Sequence, residues 1–417
     1  MKRLLVLFFT FLTPFISYSF EYEIRGNTKT AKSVISNEFK DLVYKPLTED
    51  IVQEIKRRIW NLRIFSAVSV EFLGNNLIKI DVKERWTTIP IAKFSGGGGS
   101  TYYAVGAYDI NSFGRNTEFG VQYESLNNRP AGVAWWRKPQ FLTNRNLTVG
   151  LDIWSINRVR FLFQESGDDK GAFTLKRNRF NSFIEYRLFN DFLVFGLSID
   201  AQDDQISDFG LSKKLVRLNS VNNINTELAN ENIFYKFKAS VGRLNYENYL
   251  VRGTQLRIEQ SIVQTNEDKF LSQTEIGFNF YKLFKNHHNF AWNFKFINTN
   301  LEQVQNLSYL GGLGEVRGYL DGQFSGNASW QNNIEHRFDL YSNNYGVIQA
   351  AFFSDQGKEG GNLDQLTRNQ DEILLSSGLG VRFISPKIFR FVARLDYAQT
   401  HTRFISQNIS FGIQQFF

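Results

Sequence analysis

From Thr88 to Phe417, apolar and polar residues alternate with a period of two, segment after segment. Phe290, Trp292, Phe294 and Phe296 alternate with Asn289, Ala291, Asn293 and Lys295. Trp330, Asn332, Ile334, His336, Phe338 and Leu340 alternate with Gln331, Asn333, Glu335, Arg337 and Asp339. Phe389, Phe391, Ala393, Leu395 and Tyr397 do so with Arg390, Val392, Arg394 and Asp396. Successive side chains of a strand point to opposite faces, so each segment is a strand with one apolar and one polar face. A soluble sandwich alternates too. Large aromatics on one face and charges on the other, repeated along the chain, favour a membrane barrel with lipid outside and a wet lumen.

Strands of roughly 10 residues with their turns give about 16 strands in this span. Their starts fall near residues 88, 101, 117, 131, 146, 179, 191, 232, 252, 272, 288, 327, 345, 374, 388 and 404. An even number returns the last strand to the side on which the first begins. The mean hydropathy of -0.31 fits, because only alternate residues meet lipid. The 41 Phe and 17 Tyr can supply interfacial girdles. Beyond the N-terminus no run of 18 apolar residues offers a membrane helix. The expected fold class is mostly β: an antiparallel transmembrane β-barrel of about 16 strands over residues 88–417, preceded by one small α+β domain.

The N-terminus reads differently. Lys2 and Arg3, the apolar run from Leu4 to Ile16, and Ser17-Tyr18-Ser19 fit a secretory signal over residues 1–19. A membrane anchor is the alternative, for which the run is short. Residues 20–86 form a second pattern. Tyr22 and Ile24 alternate, Val34, Ile35 and Phe39 suit one helix face, and Thr48 with Glu49 and Asp50 opens a second helix. Ile51, Ile55, Ile59 and Leu62 continue its stripe. Val68, Val70 and Phe72, a Gly74-Asn75-Asn76 turn, and Ile78, Ile80 and Val82 make a hairpin. The order is β-α-α-β-β.

The last third carries short motifs in a fixed order. Leu310-Gly311-Gly312 precedes Val316-Arg317-Gly318-Tyr319, Asn333-Ile334-Glu335-His336-Arg337 follows, then Phe353-Ser354-Asp355-Gln356-Gly357, then a turn motif from Gly378 to Pro386. Together they resemble the BamA-like outer-membrane assembly and translocation superfamily. The N-terminal module resembles that superfamily's periplasmic POTRA domain, with Asn61 to Val68 similar to its turn from second helix to second strand, and one such unit fits before the barrel. The resemblance implies a bacterial outer-membrane protein that handles unfolded outer-membrane or secreted polypeptide clients beside lipid. Accessory periplasmic or lipoprotein subunits would be its further partners. A two-partner-secretion-type transporter and a passive small-solute pore are the alternatives.

Strand parity places the Arg317 loop between the eleventh and twelfth strands. If Phe353 and Asp355 face the lumen, Arg317 can fold inward, pair with Asp355 and stack on Phe353. Glu335 and Arg337 on the adjacent strand would extend this network, with Gly314, Gly318, Tyr319 and Gly357 giving the motif its shape. Bracing the barrel is the more direct role of these residues, and transport enters through the resemblance. Gly96, Gly97, Gly98 and Gly99 weaken the first barrel strand, which closes against the last, carrying Phe411 and Phe417. That seam could open sideways, or the glycines could form a flexible hairpin. The terminal Phe417 resembles the signal that marks barrel clients for assembly.

Other chemistries find little footing. The four histidines, His287, His288, His336 and His401, stand in no metal-binding spacing, and no nucleophile elbow or phosphate loop occurs. No enzyme activity, metal or cofactor is expected. Asp203, Asp204 and Asp208 could bind calcium in an outer loop, but a solvated acidic loop is the simpler reading, as it is for Asp168 and Asp169. The formal charge of +7 is diffuse, which argues against nucleic acid, and zero cysteines leave no disulfide.

Overall fold

The computed structural model describes residues 19–413 apart from 75, 98–99, 165–166, 248–249, 268, 285–287, 313, 344, 369–372 and 386–391. The signal segment, Gly98, Gly99 and Phe417 therefore lie outside the described residues. Two compact units are present. The first runs to Thr87 and includes Phe113–Asn116, and the second holds the remainder.

In the first unit, strand β1 (Glu21–Arg25) is followed by helices α1 (Lys32–Ser36) and α2 (Glu49–Asn61) and strands β2 (Phe65–Gly74) and β3 (Leu77–Glu84). β3 is central, parallel to β1 and antiparallel to β2. The Thr48 hydroxyl accepts the Ile51 amide and caps α2. Val34, Ile35, Phe39, Ile55 and Ile59 are buried, with Ile24, Val68, Ile78, Ile80 and Val82 of the sheet. Val52 rather than Ile51 is the buried residue in the first turns of α2. β2 and β1 are the two edges. Glu84 accepts the Thr28 hydroxyl and the backbone N–H groups of Lys29 and Thr30. Partial burial pushes the Glu84 carboxyl up, but the hydrogen bonds from Thr30, Thr28 and Lys29 outweigh it and lower it to about 2.

The second unit is a closed barrel. Among the described residues it has sixteen strands: β4 (Thr88–Gly97), β5 (Ser100–Asp109), β6 (Glu118–Leu126), β7 (Arg129–Lys138), β8 (Leu147–Phe163), β9 (Asp169–Leu188), β10 (Leu193–Ser207), β11 (Leu228–Glu247), β12 (Leu250–Thr265), β13 (Phe270–Leu283), β14 (Asn289–Thr299), β17 (Ala328–Ser342), β18 (Val347–Gly360), β19 (Leu374–Ile384), β20 (Val392–Thr400) and β21 (Gln407–Ile413). Each pairs antiparallel with its neighbour, and β21 closes on β4. A small ribbon of β15 (Ser308–Leu310) and β16 (Phe324–Gly326) lies between β14 and β17. Helix α3 (Lys213–Val221) links β10 to β11, and α4 (Leu363–Thr367) follows β18.

The alternation has the expected sense. Phe195, Leu197 and Ile199 of β10 are exposed to the outside, whereas the alternate residues Ser198 and Asp200 are buried against the lumen. Ile348 and Phe352 of β18 are exposed, and Phe353 and Asp355 are buried.

Three expectations need correction. β8, β9 and β11 run for 17, 20 and 20 residues, well past the roughly 10 that cross a bilayer. At the end of the barrel opposite Thr88, here called distal, the outward parity carries Asn178 and Lys176 beyond Phe180 on β9 and Asp203 and Gln205 beyond Ile199 on β10. The alternation fades there because neither face meets lipid. Asp204, read as part of a solvated loop, is fully buried on β10 and paired with Arg177 at 2.6 Å. Gly378–Ile384, read as a turn motif, lies within β19, and Pro386 falls outside the described residues.

Candidate functional site: a lumenal arginine network beside a weak seam

The segment between β14 and β17 folds back into the lumen. β15 and β16 staple its two arms, and the amide of Gly312 donates to the Val316 carbonyl at 3.2 Å. Leu310, Val316, Tyr319 and Phe324 form a buried cluster with Leu374 of β19. This apolar foot gives the loop a reason to leave water. The docking is close at Gly357 of β18, where an added Cβ would sit 2.9 Å from Val316. Gly318 has φ +98°, and a Cβ there would lie 2.8 Å from Thr400, so the position is restricted to glycine twice over. Gly314 differs from expectation: nothing lies within 4 Å of its would-be side chain.

The docked tip delivers Arg317 to a cluster of buried charges. Its Nε donates to Asp355 Oδ2 at 2.7 Å, its Nη2 to Oδ1 at 2.9 Å, and its backbone N–H to Oδ2 at 3.2 Å. Its Nη1 donates to Glu335 at 3.2 Å and lies 3.6 Å from Asp396. The guanidinium carbon stands 3.4 Å from the centre of the Phe353 ring. Bidentate pairing plus a stacked face is a task for arginine rather than lysine. Arg317 is 1% exposed, and Glu335, Asp355 and Asp396 are 0% exposed, so none of these charges can fall back on water.

Two further arginines complete the network, and neither was singled out from the sequence. Arg382 of β19 bridges Glu335 at 2.6 Å and Asp396, and Arg394 of β20 donates to Asp396 at 3.1 Å. Arg337 donates to Glu335 through Nε at 2.7 Å. Four arginines thus surround three carboxylates. Asn333 holds the loop from another side, donating to the Glu315 carbonyl at 2.7 Å. Arg382 sits in the last motif and Asp396 on an alternating strand, so both were visible as lumen-facing residues. What the sequence lacked was the depth at which neighbouring strands bring them level.

Tyr319 points away from the charges. Its hydroxyl donates to the Thr402 carbonyl at 2.8 Å and accepts the Leu375 amide at 3.2 Å. Between the loop and the wall lies a cavity of about 370 Å³ lined by Arg160, Lys295, Tyr309, Glu315, Asp321 and Gln331. Arg160 stacks over Tyr309 at 4.8 Å.

The seam adjoins the network, since Gly412 of β21 stands directly across from Arg394 of β20. Among the described residues β21 pairs with β4 at two positions, Phe411 with Gly96 and Gly412 with Ser95. On its other side β21 pairs with β20 at seven positions. The Phe411 ring lies 3.0 Å from where a Cβ at Gly96 would be, and packs against Phe94 with centroids 5.2 Å apart. Gly97 ends β4.

Comparison with known proteins agrees with this architecture. Residues 111–417 match the Omp85 superfamily domain. No curated protein matches the chain. A crystal structure of BamA from Haemophilus ducreyi lacking POTRA domains 1–3 superposes with a TM-score of 0.64 at 16% identity, covering 95% of this chain and 84% of that one. CdiB from Acinetobacter baumannii gives 0.67 at 13% identity, covering 96% and 74%. CdiB from Escherichia coli gives 0.64 at 11%, covering 95% and 76%. With a domain match over most of its length, on a closed sixteen-stranded barrel that carries an inward-docked loop, the chain belongs to the Omp85 superfamily as a BamA-like outer-membrane β-barrel.

Proposed function

We propose that this protein inserts or translocates polypeptide clients at the outer membrane of a Gram-negative-type bacterium, with the β4–β21 seam as a lateral route. The POTRA-like first unit sits in the periplasm and captures an extended client at a sheet edge, where backbone hydrogen bonds supply affinity whatever the client's sequence. The client strand then pairs with the edge exposed by the parted seam and passes toward lipid. No cofactor and no covalent step is required. The observation that carries this reading is that, among the described residues, β21 pairs with β4 at two positions and with β20 at seven. The loop and its arginine network brace β17 to β20, the strands that lead up to β21 on one side of the seam. The inward-docked loop narrows the lumen, which argues against a plain open pore.

The protein contains no cysteine, so introduced pairs report cleanly. A Cβ added at Gly412 would lie 3.0 Å from that of Ser95, close to disulfide reach. Oxidising the Ser95→Cys/Gly412→Cys variant in liposomes should abolish accelerated folding of an added barrel client, and reduction should restore it. Full client folding with the crosslink in place would rule out the lateral route. Solute flux without any effect on clients would favour the pore.

A further inference from the structure

We propose that the segment Gly318–Asp321 is a clasp that holds the two flanks of the β4–β21 seam together at the distal mouth of the barrel. On one flank, the Ser406 hydroxyl donates to the Gly318 carbonyl at 3.0 Å and Tyr319 donates to the Thr402 carbonyl at 2.8 Å. Both partners belong to the turn that leads into β21. On the other flank, the Ser100 hydroxyl donates to Asp321 Oδ2 at 3.3 Å. Ser100 opens β5 and pairs with Gly97, the last residue of β4. Asn127 donates its amide N–H to the Ser100 hydroxyl at 3.2 Å, which leaves that hydroxyl's proton for Asp321. Only Leu320 separates the two sets of contacts, so parting the flanks must break one of them.

The clasp has a fixed base. Arg317, immediately before Gly318, is held by two side-chain bonds and one backbone bond to Asp355 of β18. Movement of the β20–β21 turn is therefore opposed by β18, three strands from β21 along the wall. The side toward Ser100 is the weaker one, a single hydroxyl bond with a partly exposed carboxylate, so the clasp should release there first. Its role in activity rests on the seam being the client route, whereas its effect on the seam can be read without a client.

The test is the initial rate of disulfide formation in the Ser95→Cys/Gly412→Cys protein under mild oxidant, with heat-modifiable gel mobility as the check on folding. Asp321→Ala should lower that rate about fivefold, the scale of one hydrogen bond. Ser100→Ala, which removes the donor from the opposite flank, should lower it to a similar degree. Asp321→Asn keeps an oxygen acceptor and should stay near the parent rate. Parental rates in folded Asp321→Ala and Ser100→Ala proteins would overturn the clasp, as would equal losses for Asp321→Asn and Asp321→Ala. Slower crosslinking with unchanged client folding would leave the clasp standing and overturn the lateral route instead.

Discussion

The Arg317 guanidinium contacts Asp355, Glu335 and Asp396, and the Phe353 ring closes its remaining face. Truncating it leaves Asp355 buried without its arginine, whereas Glu335 and Asp396 keep closer contacts to Arg337, Arg382 and Arg394. Breaking such a pair from one side costs about 3–5 kcal/mol, more than the intact pair contributes over an apolar substitute. Arg317→Ala should therefore lower unfolding stability by about that amount in chemical denaturation. Arg317→Ala/Asp355→Ala, which removes one charge of each sign, should lose less than the sum of the single variants. Strict additivity of the two losses would show that the residues do not act as a pair. The sequence made Arg317 and Asp355 legible because each sits in a short motif and strand parity aims both inward. It hid the contribution of Arg382 and Asp396, and it misjudged Asp204. Whether a lumenal acid is solvated or paired depends on which strand stands level with it. That level is set by register across several turns, which a period of two cannot report.

At the scale of elements, the first unit and the barrel strands were legible for the same reason: apolar spacing changes where the backbone period changes. The β-α-α-β-β order follows from that spacing, and so do sixteen strand starts, most within a few residues of those observed. β9 is the exception, beginning at Asp169 rather than near 179, because its distal half lies beyond the lipid and shows no alternation. Turns held by side chains escape the same reading. Glu84 of β3 reaches back 54 residues to close the Thr28–Thr30 turn, a contact without local signature. Its carboxyl is lowered from 4.5 to about 2, so the sign is that of a group stabilised in its charged form. The stabilisation should be complete above about pH 4.5 and should fade as pH falls toward 2. Amide exchange at Lys29 and Thr30, compared at matched pH with Glu84→Gln, measures it. Protection should differ between the two proteins at pH 6 and converge near pH 2, and a difference that persists unchanged at pH 2 would exclude this role for the carboxylate.

For the whole molecule, the decisive question is which side of the wall meets lipid, and the fold answers it through paired opposites on single strands. Leu197 stands in the middle of the outward apolar row of β10, 58% exposed, between Phe195 and Ile199. Gln273 of β13 faces the lumen, on the same parity as Glu275, which pairs with Lys295 at 3.3 Å. A lysine on the lipid face near the bilayer midplane costs about 2–4 kcal/mol, whereas a lumenal one meets water and neighbouring charge. Leu197→Lys should therefore lower stability in liposomes by about that much, while Gln273→Lys should change it by less than about 1 kcal/mol. In detergent with a thin or permeable belt the cost of Leu197→Lys should shrink, because the ammonium can reach water by snorkelling. Denaturant titration followed by tryptophan fluorescence, run in both media, measures these differences. Equal costs for the two lysines in liposomes would mean that the outward row does not face hydrocarbon. A lateral route through the seam would then have no lipid to open into, since Phe94 and Phe411 lie on that same outward row.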